Sequence, residues 1–214
     1  IIYVYNNNST DNTVEEALAA GAIVRNELEQ GKGAVVLSMF RDIEADYYMM
    51  VDGDDTYPAE EALALIECMR QSNADMVIGD RLSNKTYLAE NKRPFHNFGN
   101  NLVRKLINKF FNSKLNDILS GYRLFSRRFV KNYSSLISGF ELETDFTLYC
   151  LNYDFRIKQV PITYRDRPAG SESKLNTFTD GYRVVRLFFN LCRLYKPLAF
   201  FSSISAILLV IGLI

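Results

Sequence analysis

Short apolar runs and amphipathic stretches alternate along the first half of the chain. The runs at residues 1–5, 22–25, 47–51 and 75–80 are too short for helices and are bounded by Gly, Asn, Asp or Pro, which predicts strands. Between them, residues 13–20, 33–43 and 58–70 carry apolar side chains at helical spacing, the last with Pro58 at its first turn. A strand–helix rhythm of this kind predicts an α/β fold, with a mixed, mostly parallel sheet covered by helices on both faces. Further on, residues 97–111 and 141–151 read as helices, and "SGYRLFSRRF" (120–129) as a strand turning into a helix. "RIKQVPITYRDR" (156–167) is a last strand, and Pro161 places it at a sheet edge.

The pattern changes after "RPAGSESKLNTF", whose composition is that of a loop. Residues 180–196 interleave Val184, Leu187, Phe188, Leu191 and Leu194 with Arg183, Arg186, Arg193 and Lys196. A basic amphipathic helix of this type suits an anionic lipid surface, a helix packed on the sheet being the alternative. Residues 197–214 carry no charge, and a spanning helix needs ~20 apolar residues, so a membrane segment is expected there, with a buried helix as the alternative. Three parts are expected: a catalytic or binding domain at 1–175, an interfacial helix at 176–196 and a transmembrane helix, cut short, at 197–214. Basic residues before the span place the domain on the cytoplasmic side. Both ends read as interior to a longer chain, since the first residues already form a strand with no initiator Met or signal peptide.

Composition narrows the function classes. With 214 residues, 48% of them hydrophobic, the chain can bury a sizeable core, and 25 basic against 25 acidic side chains argue against a nucleic-acid partner. Cys68, Cys150 and Cys192 lack metal-ligand spacing and read as buried thiols, while His96 stands alone and reads as structural. Homo-oligomerisation is left open.

The strongest chemical signal is "DYYMMVDGDDTYP" (46–58), where Asp52, Asp54 and Asp55 gather at the end of a strand. Ligands of open α/β sheets bind at that edge. Close carboxylates either recruit a divalent cation such as Mg²⁺ or Mn²⁺, which completes its shell with water and substrate phosphates, or form a solvated acidic turn. "YNNNSTDNT" (5–13) offers amide and carboxylate groups to a base or ribose, or caps the next helix. "QGKG" (30–33) sets Lys32 between glycines, where backbone can approach a ligand. "GFELETD" (139–145) places Glu141, Glu143 and Asp145 at a helix start, favourable for the helix dipole and equally available to a substrate.

In order and spacing, "NNNSTDNT", "GKG", "VDGDDTYP", "GDR", "SGYR", "FELETD" and "RPAGSESKLNTFTDGYRV" resemble family 2 glycosyltransferases of the GT-A fold. The likeness is greatest to polyprenyl-phosphate and dolichol-phosphate sugar transferases with a membrane-anchored catalytic domain. It implies a nucleotide-sugar donor (a UDP- or GDP-sugar), a polyprenyl phosphate acceptor, and transfer with inversion at the membrane. Asp52 and Asp54 then match the family's DxD motif and hold Mg²⁺ or Mn²⁺, while Asn6 and Asp11 fall on the nucleoside side and Lys32 in the base-side loop. Glu143 matches the acceptor-side acid that serves as catalytic base, and Arg167, Ser171, Ser173 and Lys174 match a loop that closes on phosphate. Arg81, Arg123, Arg127 and Arg128 are further candidates to offset acceptor and diphosphate charge.

Departures from the pattern are Asn6 for a common Asp, Thr56 for a common Gln, and the absence before "IIYVY" of the strand that precedes it in the family. The alternatives are a transferase with a hydroxyl acceptor, a non-catalytic nucleotide-sugar-binding membrane protein, and a nucleotidyltransferase. The last would need a Gly-rich basic loop after the first strand, which "YNNNSTDNT" does not supply.

Overall fold

Successive side chains of one strand, β4 (Met76–Asp80), point into different cores. Met76 and Ile78 join an aromatic cluster on one face and Val77 joins a second cluster on the other, the period of two expected of a strand buried on both sides. The computed structural model describes residues 1–84, 94–134, 142–165 and 177–213.

In chain order the elements are β1 (Tyr3–Asn6), α1 (Thr13–Ala19), β2 (Ile23–Asn26), α2 (Lys32–Asp42) and β3 (Tyr47–Met50). A 3₁₀ turn (Ala59–Glu61) leads into α3 (Ala62–Ser72), which ends on Asn73 in the left-handed conformation, and β4 follows. Then come α4 (Pro94–Phe111), β5 (Arg123–Ser126), α5 (Arg127–Asn132), α6 (Leu142–Asn152), β6 (Ile157–Pro161), α7 (Thr177–Tyr195) and α8 (Pro197–Gly212).

β1 and β2 pair in parallel, and a four-stranded sheet runs β3-β5-β4-β6. In the latter β5 is antiparallel to both neighbours while β4 and β6 are parallel, so β3, β4 and β6 share a direction and β5 is reversed. Among the described residues half of the ladders are thus antiparallel, against the mostly parallel expectation, because β5 starts at the end of the sheet where β3 and β4 finish and runs back between them. Pro161 closes the edge strand β6, as its ring predicts.

One face of the sheet packs α2, α5 and α6 through Phe40, Phe129 and Phe146. There Phe125 and Phe129 stack at 5.0 Å and Phe40 meets Phe125 edge to face at 5.5 Å. The other face packs α3 through Leu65 and Met69. A third cluster joins α4, α6 and α7, with Phe188 and Cys192 fully buried, so α7 rests on the domain by one face. Among the described cysteines Cys150 and Cys192 are buried free thiols and Cys68 is half-buried.

Among the described residues no single helix is long and apolar enough to cross a membrane. Phe188–Tyr195 and Pro197–Gly212 pass that test only as a pair bent by 112°. α8 buries no residue, and Leu198, Leu208 and Leu209 are exposed along it.

Candidate active site

The site forms where β3 and β4 end and β5 begins. β3 delivers Asp52 and Asp54 into a turn, and Asp54 Oδ1 accepts the Thr56 amide at 3.3 Å and the Thr56 hydroxyl at 2.6 Å. Thr56 is buried, so this turn is fixed from below. The residue that departs from the family's Gln therefore orients the second acidic residue of the motif.

α2 begins at Lys32 because the loop before it is stitched to the first turn of the chain. Asn7 donates to the Glu27 and Glu29 carbonyls, both at 2.8 Å, and accepts the Gly31 amide at 2.8 Å. Gly31 has φ of 142°, a conformation that a side chain disfavours. The outcome is an aimed ammonium. Lys32 Nζ donates to Asp52 Oδ1 at 2.7 Å and to Glu143 Oε1 at 2.6 Å, joining the end of β3 to the first turn of α6. Burial by itself would draw this ammonium down, but the Glu143 and Asp52 carboxylates outweigh it and hold the group above its ordinary range.

"SGYR" closes the other side. The buried Tyr57 hydroxyl accepts the Gly121 amide at 3.0 Å, and the Tyr122 hydroxyl donates to the Pro58 carbonyl at 3.4 Å, fastening the start of β5 to the acidic turn. With its ring enclosed, Tyr57 is pushed up to about 12, so the phenol remains protonated.

The arginines proposed for phosphate have other partners. Arg81 meets Asp117 in a bidentate pair, Nε to Oδ2 at 2.7 Å and Nη2 to Oδ1 at 3.0 Å, with both residues buried. Arg123 is fully buried and donates to the Ser120 and Ile118 carbonyls and to Thr147. Arg127 pairs with Glu44 and Arg128 with Asp75, at the end of the β3–β5 ladder opposite Asp52. The buried Arg81 and Arg123 serve the frame, while Arg127 and Arg128 make pairs at the surface.

Of the residues expected to face the nucleoside, Asn6 donates to Asn26 and accepts the Ser9 amide, while Asp11 accepts the amide and hydroxyl of Thr13 at the start of α1. Lys32, expected in the base-side loop, reaches the Asp52 and Glu143 carboxylates. Arg167, Ser171, Ser173 and Lys174 lie outside the described residues, as does Glu141. The sequence reading overlooks Tyr57, Gly121 and Asp117, although "SGYR" flagged the neighbourhood of Gly121.

Burial alone would raise the Asp117 carboxyl, but the Arg81 guanidinium outweighs it and lowers the group below its usual range. A depressed folded value means that the pair stabilises fully above the unfolded value of about 3.9 and fades as pH falls through the folded one. Asp117→Ala is expected to cost about 3–5 kcal/mol in urea unfolding at neutral pH, by removing the bidentate carboxylate partner of a buried guanidinium. Its stability should also fall less than the wild type's below about pH 4.

No group of three or more His, Cys, Asp or Glu side chains is placed to hold a metal ion among the described residues. The oxygen donors at Asp52 and Asp54 suit a hard cation whose remaining ligands are water and substrate phosphates, which is how Mg²⁺ is usually bound. Both carboxylates are only partly buried, leaving room for such partners.

A family model described as "Glycosyl transferase family 2" matches residues 2–134. Glycosyltransferase AglJ of Haloferax volcanii is 32% identical over 95% of this chain and 67% of its own length. The low-salt glycan biosynthesis hexosyltransferase Agl6 of the same organism is 36% identical over 83% of this chain but only 43% of its own. Undecaprenyl-phosphate mannosyltransferase of Micrococcus luteus is 27% identical over 77% of this chain and 69% of its own. The chain thus spans between about two fifths and two thirds of these relatives. Among solved structures, glucosyl-3-phosphoglycerate synthase of Mycobacterium tuberculosis, crystallised with Mn²⁺, UDP-glucose and phosphoglyceric acid, superposes with a TM-score of 0.65 at 17% identity, over 89% of this chain and 68% of that one. At that identity the likeness speaks to the GT-A fold. The family match covers more than half of the sequence and AglJ aligns with nearly all of it, and on that footing the chain belongs to glycosyl transferase family 2.

Proposed function

We propose that this chain is the catalytic part of an inverting glycosyltransferase that moves a sugar from a nucleoside-diphosphate sugar to a polyprenyl phosphate at the cytoplasmic face of a membrane. The observation that carries the reading is the Lys32 ammonium, which touches Asp52 of the acidic turn and Glu143 of the acceptor-side helix at once. A donor-side and an acceptor-side carboxylate are thereby within reach of one reacting centre, as a single displacement requires.

Asp52 and Asp54 would hold Mg²⁺ or Mn²⁺, which supplies neutralisation of the departing diphosphate. Thr56 orients Asp54, and Lys32 places a fixed positive charge between donor and acceptor. Glu143 is buried and tied to Lys32, which suits it to orient an acceptor. A phosphate monoester has a second pKa of about 6, so it arrives with little proton for a base to remove.

The lipid acceptor is supported by the name of the Micrococcus luteus relative and by the C-terminal helices. α7 exposes Arg186 and Arg193 beside Phe189 and Leu194, Lys196 follows it, and the uncharged α8 then runs on with its apolar side chains outward. Such a pair suits an interfacial helix followed by a membrane-seated one, with the domain on the positively charged, cytoplasmic side.

The test uses the full-length protein in detergent with Mn²⁺ or Mg²⁺, a panel of radiolabelled UDP- and GDP-sugars and undecaprenyl or dolichyl phosphate, following label into the organic phase. Chelator-sensitive labelling with one donor is expected. Donor hydrolysis or nucleotide binding without lipid product in any combination would overturn the reading.

A further inference from the structure

Gly121 has a negative or extended φ, so its backbone would accept any residue. The obstacle to a side chain there is local. A Cβ built on Gly121 would lie 2.9 Å from Asp52 Cγ and 3.2 Å from Asp52 Oδ1, and closer still to Oδ2. All three of its nearest atoms belong to Asp52.

The backbone side of this contact is held in place. The Gly121 amide is held by the Tyr57 hydroxyl at 3.0 Å, and Tyr57 is buried and also receives Arg81 Nη1 at 3.4 Å, an arginine locked by Asp117. On its far side the Asp52 carboxylate is drawn to Lys32. Only the short Asp52 side chain is able to turn away, and turning away breaks its contact with Lys32.

We infer that Gly121 is a positioning residue for Asp52: the missing side chain at 121 is the space into which the carboxylate fits, and this sets the direction in which Asp52 meets a cation and its diphosphate. The inference rests on the proposed role of Asp52 as a ligand. It gives "SGYR" a task that belongs to its glycine, while its arginine serves the frame.

The experiment compares full-length wild type with Gly121→Ala, Asp52→Asn and Gly79→Ala, measuring calorimetric binding of Mn²⁺ with whichever of UDP or GDP binds more tightly, and the thermal midpoint. Gly79→Ala is the control for crowding that does not involve Asp52, since a Cβ there would lie 2.6 Å from Ile162 Cδ1 and 3.3 Å from Tyr122 Cβ, with none of its three nearest atoms in Asp52. Gly121→Ala is expected to weaken Mn²⁺–nucleotide binding at least fivefold with little change in midpoint, and Gly79→Ala to lower the midpoint while binding as wild type does. Binding by Gly121→Ala within fivefold of wild type, with Asp52→Asn clearly impaired, would overturn the inference and leave the functional reading intact. Wild-type-like binding by Asp52→Asn would overturn both. Should Gly121→Ala fail to fold, it is made again together with Asp52→Ala, which removes the three atoms that would crowd the new Cβ; recovery of folding is expected, and continued failure would overturn the inference.

Discussion

Asp54→Asn is expected to cut sugar transfer about 10²-fold or more, whereas Glu143→Gln costs about tenfold or less. Both substitutions keep shape and an acceptor oxygen, so each reports on charge. At position 54 an amide oxygen still accepts from Thr56, so the turn survives while the proposed cation loses one of its two carboxylate ligands. At position 143 an amide oxygen still accepts from Lys32, and orientation is retained. A general base contributes roughly 10²- to 10⁴-fold when a proton must be removed, which a hydroxyl acceptor demands and a phosphate dianion does not. Steady-state kcat/KM for both variants decides the matter, and equal losses of several orders of magnitude would indicate a hydroxyl acceptor.

Lys32→Met carries the other large effect, on stability and turnover together. The Glu143 side chain is 9% exposed and that of Lys32 25%, so removing the ammonium leaves a nearly buried carboxylate without its partner. Breaking a buried pair from one side costs about 3–5 kcal/mol, and partial access of water to this one puts the expected loss at about 2–3 kcal/mol in urea unfolding. Transfer should fall at least tenfold in the variant that remains folded, because the fixed charge between donor and acceptor is gone. Arginine is not expected to rescue it, since a planar fork does not reproduce two contacts made by one nitrogen. A Lys32→Met protein with wild-type stability and turnover would remove the bridge from the account.

What the sequence made legible follows from the range of each interaction. Strands such as β4 and helices such as α3 were readable because burial period and turn residues are local; β4 lies within a residue of expectation, while α3 begins four residues later than expected, after a 3₁₀ turn. The acidic turn was readable because its carboxylates are adjacent in the chain. Lys32 was noticed, but its partner Glu143 is 111 residues away, and no local pattern announces such a contact. Arg81 and Arg123 were misleading for the same reason: an arginine near a motif looks free until Asp117, or the carbonyls of Ser120 and Ile118, are brought to it by the fold. Gly121 shows the limit most clearly, because its reason for being glycine is the space taken by Asp52. The reversed direction of β5 was equally hidden, since a strand's direction is set by the connection that delivers it.

The choice of acceptor separates this account from its neighbours, and one competition tests it. Full-length protein would be given a single labelled donor with equal amounts of a polyprenyl phosphate and the matching polyprenol, and the products separated by charge. The account predicts label on the phosphate alone, surviving in Glu143→Gln and lost in Asp54→Asn. Label on the alcohol, abolished by Glu143→Gln, would contradict it.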